Sequence, residues 1–273
     1  MSIDVIVGLI ALAALFTAES WLPAYAAGRE RRLRHGLDNL GIAAVSAATG
    51  AIMAPLLVAS VQFAETNGLG LCHAPAPGWA PGWVMCAATT FVLFDLWMYA
   101  WHRANHRVPF LWRFHRVHHT DPAMDSTTAL RFHPGEILLS TLANCLVLMA
   151  LGMSLDMLVL YKAVMVLVIL FHHSNLAVPA GLDARLRRVI VPPSMHRVHH
   201  SAIRAETDSN YGTVFSFWDR LFGSFRLRPD PRTIRFGIGA YDNAAWQRPL
   251  SLLRLPLEPN PPAADAKSGA PES

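Results

Sequence analysis

The chain has 273 residues, 53% of them hydrophobic and only 15% charged, with a formal net charge of +4. A soluble domain carries roughly 25% charged residues; that shortfall, with a mean hydropathy of +0.30, excludes an ordinary soluble protein and points to a membrane protein. The basic balance (pI about 9.2) then reads as loops facing anionic headgroups, not as a nucleic-acid surface.

A bilayer span needs about 20 mostly apolar residues. Five runs qualify: 3–22, 41–64, 82–101, 135–153 and 155–173. The first reads as a retained span, not a cleaved signal, because Asp4 stands where a basic region belongs and no small-residue cleavage site directly follows the apolar core. GRERRLRH (28–35) is a strongly basic loop, whereas 65–82 holds no Lys or Arg. Segment 102–133 carries Arg103, Arg107, Arg113, Arg116 and Arg131, the turn at 152–154 carries none, and the chain after 174 is basic again. Basic loops mark the cytoplasmic side. The N-terminus is therefore expected outside and 28–35, 102–133 and the C-terminus inside, with the last two spans forming a tight hairpin. The three cysteines, Cys72, Cys86 and Cys145, lack any short spacing and imply neither a disulfide framework nor a thiolate metal site. Further along, 182–193 reads as an amphipathic interfacial helix. In 210–225, Phe215, Trp218, Leu221 and Phe222 form an apolar stripe able to dock on the bundle or the bilayer.

Thirteen histidines fall on this map. His102 and His106 sit at the inner mouth of the third span, and His115, His118, His119 and His133 follow it. His172 and His173 end the fifth span, and His196, His199 and His200 come next. Eleven histidines thus gather at one face; His35 and His73 stand apart and are expected to be solvated. Residues i, i+3 and i+4 share a helix face, so HRANH and the two copies of HRVHH each present imidazoles together, with Pro109 dividing the first pair from the first triplet. Of His172 and His173, one is expected to bind and its neighbour to point away. Nine nitrogens without a thiolate suit two adjacent metal ions, not a closed structural zinc.

Single residues carry open alternatives. His133, before Pro134, reads as a ligand, a hydrogen-bonding support to a ligand, or a cap, with support preferred. Asp95 lies in a span seven residues before His102. It either accepts that ring's second N–H or pairs with an arginine or Lys162. A pH sensor is a competing reading of so much imidazole but leaves the repeated spacing unexplained. A metal transporter would bind near mid-bilayer and often shows repeats; the ligands here cluster at one interface and no repeat is visible.

HRANH, FHRVHH and MHRVHH, with DLWMYAWHRANHRVPFLWRFHRVHHT, TTALRFHPGE, FHHSN and SNYGTVFSFWDRLFG, resemble the fatty acid hydroxylase/sterol desaturase superfamily over roughly residues 90–225. The resemblance implies an all-α integral membrane helical bundle of about four to five transmembrane helices with a cytoplasmic, His-rich dimetal cap. It divides the chain into N-terminal helices and an outer loop (1–80), a hydroxylase-like catalytic domain (81–235) and, from composition, a disordered tail (255–273). It implies that His102, His106, His115, His118, His119, His173, His196, His199 and His200 bind two iron ions, for which zinc can substitute. No catalytic residue is expected beyond the metal centre, and His172, His133, Asp95, Asn175, Asn210 and Asp219 are expected in supporting roles, with Tyr211 in the matching NYG motif. The implied activity is O2-dependent hydroxylation or desaturation of a lipid C–H bond. Sterol, carotenoid and ether-lipid-cleaving oxygenases are the alternatives within that chemistry, and a non-catalytic metal-binding or transport protein is the alternative outside it. With no appended cytochrome b5-like domain and no iron–sulfur cysteine set, a separate ferredoxin or cytochrome b5-type donor is expected; no nucleic acid is.

Overall fold

The computed structural model describes residues 3–25, 29–73 and 82–260. Helix α1 (Ile3–Trp21) is followed by the 38-residue α2 (Arg29–Thr66), α3 (Trp83–Arg107), α4 (Pro109–His119), α5 (Pro134–Leu151) and α6 (Leu155–His173). Short helices complete the cap: α7 (Ala180–Leu186), α8 (Pro193–His199), α9 (Arg204–Thr207), α10 (Phe217–Leu221) and α11 (Pro249–Arg254). Four of the five anticipated spans are helices long and apolar enough to cross a membrane, while Val5–Trp21 is apolar but shorter. Among the described residues only isolated β-bridges occur, such as Pro23 with Leu176 and Ile190 with Phe215.

The long helices pair in two sets, α2 against α5 and α1 against α6, and α3 touches both α5 and α6. Their ends follow local chemistry. Pro109 forces Val108 out of the helical region (φ −92°, ψ 114°) and then serves as the first residue of α4, which turns the second group of histidines back over the first. Gly152 closes α5 in the left-handed conformation (φ 64°), and the Ser154 hydroxyl caps α6. The expected hairpin is therefore tight at its turn, yet its arms diverge because each packs on a different partner. The loop after α2 docks on this turn: Leu71 and Cys72 donate to the carbonyls of Ala150 and Leu151 at 3.0 and 3.2 Å. A side chain at Gly70 would collide with the Gly152 backbone at 2.2 Å. The loop 67–73 and the α5–α6 turn thus share one end of the bundle, opposite the histidines.

The basic stretch read as a loop is helical: residues 29–35 form the first turns of α2, since Arg, Glu and Leu are good helix formers and nothing there breaks the ladder. Cys72 and Cys86, expected to be unpaired, are joined by a disulfide with Cα atoms 5.8 Å apart, because the loop folds back over the start of α3. Segment 182–193 is helical only to Leu186, after which Ile190 bridges to Phe215. In 210–225 only Phe217–Leu221 is helical; Trp218 is buried while Leu221 stays exposed. The tail anticipated from 255 starts as ordered chain. Leu255 is buried, and the buried Arg116 donates to the carbonyls of Leu255, Glu258 and Pro259 at 2.6, 2.6 and 2.7 Å. Residues 261–273 lie outside the described residues.

Asp95 is fully buried and ties three elements together. It accepts from Tyr161 Oη (2.8 Å), the amides of Val214 (3.2 Å) and Phe215 (3.0 Å), and Trp218 Nε1 (2.9 Å). It therefore does not serve His102, as the sequence reading allowed, but locks the 214–218 segment onto α3 and α6; Lys162 stands on the exposed side of α6. Asp95→Ala strips four buried donors of their acceptor and should lower stability by about 3 kcal/mol or more. In detergent that is a melting temperature roughly 6–12 °C lower; unchanged melting would contradict the assignment.

Candidate metal centre

The nine histidines of the three boxes and the FHHSN segment meet at the end of the bundle away from the α5–α6 turn. They divide into two groups: His102, His106, His115, His119 and His199 in one, and His118, His173, His196 and His200 in the other. Within each group every ring offers a nitrogen within 4.8 Å of the others. Each HRVHH is split between the groups. The i, i+4 pair His115/His119 enters the first and His118 the second, whereas His196/His200 enter the second and His199 the first. The triplets therefore interlock and do not each fill one site, and His119 stacks on His200 across the divide at 4.5 Å.

In the second group Nε2 atoms face one another, His118 to His173 and His173 to His196 at 3.0 Å and His196 to His200 at 3.2 Å; in the first, His115 and His119 do so at 3.3 Å. The outward nitrogens explain why. Nδ1 of His102 donates to the Tyr211 carbonyl (2.9 Å), of His173 to Ile169 (2.8 Å) and of His199 to Ser209 (2.7 Å), and His115 Nδ1 donates to Glu136 Oε1 (2.8 Å). A ring whose N–H is committed outward turns its lone pair inward. The inward Nε2 atoms of His102, His106 and His199 are buried without any protein partner, as nitrogens reserved for a cation would be. Burial, reinforced by the neighbouring imidazoles, holds His118, His119, His196 and His200 well below the usual imidazole range, and burial brings His199 down to about 3. These rings are neutral at pH 7, the form that binds metal.

The supporting residues act mostly through backbone. Asn210 adopts φ 53°, with its side chain spanning Met195 O (2.9 Å), Arg226 O (2.7 Å) and Arg226 N (2.9 Å). Asp219 accepts from the amides of Tyr211 (2.7 Å) and Gly212 (2.9 Å), and a Cβ at Gly212 would meet Phe215 O at 2.7 Å. Together they shape the loop whose carbonyls at 209 and 211 orient His199 and His102. Asn175 clamps the Tyr25 backbone with both ends of its amide (3.0 Å each) and so pins the chain after His173 to the end of α1.

Two expectations need correction. His133 supports no ligand: its Nδ1 accepts from Gly135 N (2.9 Å) as the N-cap of α5, and its Nε2 donates to Leu253 O (3.2 Å). His35 is not solvated but lies mostly buried between Asp121 (2.8 Å) and Asp125 (3.2 Å). His73 is exposed, as anticipated. His172 belongs to neither group; it is buried and stacks on His196 with centroids 3.8 Å apart. Sequence reasoning passed over Glu136. An acid in the first turn of an apolar span was the available signal, and it is the carboxylate that fixes His115.

Beside the imidazoles, where α5 and α6 diverge, lies a cavity of about 210 Å³ lined by Met98, Trp101, Phe132, Ile137, Met165 and Ile169. A membrane helical bundle that gathers nine imidazoles, eight of them buried, against an apolar cavity defines a membrane-embedded histidine-box protein. The comparisons narrow this further: the sequence model of the fatty acid hydroxylase family matches residues 87–224, just over half of the chain, and the chain belongs to that family. It is similar to the ornithine lipid hydroxylase OlsE of Rhizobium tropici, 31% identical over 59% of this chain and 48% of that protein. It is also similar to the alkylglycerol monooxygenase of Xenopus tropicalis (27%, over 77% and 44%) and the cholesterol 25-hydroxylase of Rattus norvegicus (25%, over 54% and 48%). The chain spans about half the length of the curated relatives it matches. No solved structure matches it.

Substitution of one residue in each group, His106→Ala and His200→Ala, should each lower the metal retained on purification, measured by elemental analysis. His133→Ala should retain the wild-type metal and lose about 1 kcal/mol of stability through the cap alone. Metal loss in His133→Ala would contradict the cap assignment.

Proposed function

We propose that this chain is a membrane-bound, non-haem di-iron oxygenase that hydroxylates a C–H bond of a lipid, using O2 and electrons from a separate donor protein. The observation that carries the reading is the pairing of two adjoining nitrogen-only groups with an apolar cavity in one buried site. A structural metal needs no such cavity, and a lipid pocket needs no such cage. Two iron ions held by the nine histidines would supply the activation of O2 that an unactivated C–H bond requires and that no side chain provides.

The protein's own contribution is positional. Trp101, Met98, Ile137, Met165 and Ile169 give an apolar chain a dry bed against the imidazoles. Trp101 Nε1 donates to Ser140 Oγ at 2.9 Å, which fixes the indole as a wall. The divergence of α5 and α6 offers a lateral route from the bilayer. The matched relatives are named for an ornithine lipid, alkylglycerols and cholesterol; the shared requirement is an apolar lipid brought beside a polar cage, and that substrate class is what we assign here.

The histidine end is proposed to face the cytoplasm. Arg31, Arg32 and Arg34 at the start of α2 lie toward that end, whereas the loop 67–73 at the other end carries no Lys or Arg. The Cys72–Cys86 disulfide lies at that second end, and disulfides persist in oxidising, non-cytoplasmic compartments. An impermeant maleimide applied to intact cells should label Cys72 and Cys86 only after reduction; labelling only after the cytoplasmic leaflet is opened would reverse the orientation.

Iron-loaded protein given reductant and 18O-labelled O2 in native lipid extract should place the label in a lipid product, and His199→Ala or His200→Ala should reduce the yield at least about 100-fold. Metal-replete protein that consumes no O2 with any lipid fraction would favour a non-catalytic metal-binding role.

A further inference from the structure

The cavity beside the imidazoles is walled mainly by carbon, yet outside the nine grouped histidines two polar atoms in its lining have no partner. Glu136, 6% exposed in the first turn of α5, gives Oε1 to His115 and leaves Oε2 buried with no hydrogen bond. His172, 2% exposed in the last turn of α6, stands outside both imidazole groups, and its Nδ1 is likewise buried without a partner. Both residues line the same space of about 210 Å³, one from each diverging arm of the hairpin. Buried polar atoms left unpaired are strongly unfavourable, and native proteins seldom keep them without a use.

We propose that Glu136 Oε2 and His172 Nδ1 form a polar subsite in the lipid cavity that takes a hydroxyl group of the substrate. The choice of group follows from hydrogen-bond capacity. A hydroxyl donates to the carboxylate oxygen and accepts from the imidazole N–H through a single atom. An ether, ester or ketone oxygen only accepts and leaves Oε2 unpaired, and a bare chain serves neither. A lipid anchored this way presents the carbons next to its hydroxyl to the imidazoles and not the far end of its tail. The inference rests on the lipid-oxygenase reading for the nature of the occupant, but not for the existence of the subsite.

Binding without turnover tests it. Metal-loaded protein in detergent, anaerobic and without reductant, is equilibrated with radiolabelled 1-hexadecanol, the length-matched methyl ether 1-methoxypentadecane, or hexadecane. The wild type should bind the alcohol at least about tenfold more tightly than the ether or the alkane. Glu136→Gln keeps an acceptor for His115 but turns the free end into a donor, and it should erase the preference for alcohol over ether. His172→Phe keeps the stack on His196, removes Nδ1, and should bring alcohol affinity down to the ether level. Both variants should retain hexadecane affinity; His172→Phe should also retain its metal, and Glu136→Gln, whose side chain orients His115, is compared with the wild type at equal metal loading. Equal wild-type affinity for alcohol and ether, or a preference that survives both substitutions, overturns the subsite. Metal loss in His172→Phe overturns it too, by making that ring a ligand. If the alcohol preference holds while no lipid takes up labelled oxygen, the oxygenase reading fails alone; turnover without the preference removes only the subsite.

Discussion

A neutral imidazole has one N–H and one lone pair, and nine such rings crowd together most favourably when N–H groups find partners outside the cluster and lone pairs converge on a common charge. The rest of the cap follows from that constraint. Where the outward partner is present it is a backbone carbonyl, at Ile169, Ser209 and Tyr211, or the Glu136 carboxylate. Within the groups Nε2 atoms approach one another to 3.0–3.3 Å, a convergence of nitrogens that a cation between them would satisfy. Interlocking the two HRVHH segments lets two short helices, α4 and α8, each serve both groups, so neither group forms without the other.

Holding α4 and α8 in that register requires a rigid frame at the water-facing end, and the frame is polar. The buried Arg131 bridges Val117 O, Asn39, Thr120 and Gln247. Asp121, two residues past His119, accepts from His35 and Thr128. Burial alone would raise the Asp121 carboxyl, but His35 and Arg131 outweigh it and hold it well below the usual carboxylate range. Glu19 at the end of α1 takes the amides of Ser126 and Asn175 at 2.9 and 2.7 Å, tying the segments after both α4 and α6 to the first helix. Beside the imidazoles the bundle does the opposite: α5 and α6 follow different partners, and their separation leaves an apolar cavity against the rings.

The legible parts of this arrangement were those with a periodic or spacing signal. Apolar runs located four of the spans that the structure offers, Pro109 marked the break between α3 and α4, and the three histidine boxes with His173 named the nine rings that meet. What stayed hidden has no signature in side-chain type. Carbonyls at 209 and 211 orient two of the rings, and any residue supplies a carbonyl; only the residues shaping that loop, Asn210, Gly212 and Asp219, stand out. His133 and Asp95 misled because each neighbours the site in sequence but spends its hydrogen bonds elsewhere, on a helix start and on a loop more than a hundred residues away. Cys72 and Cys86 gave no spacing cue, since only the fold of the loop brings them together. The split of each triplet between two groups also follows from tertiary packing, for helical spacing alone sets three rings on one face.

The account stands or falls on what those nitrogens surround, and X-ray absorption on the iron-loaded protein examines that directly. It predicts two iron ions per chain, bound mainly by imidazole nitrogen with no sulfur scatterer, and a second-shell metal signal from the neighbouring ion. A single iron per chain, or a coordination sphere dominated by sulfur or by non-protein oxygen, would contradict it.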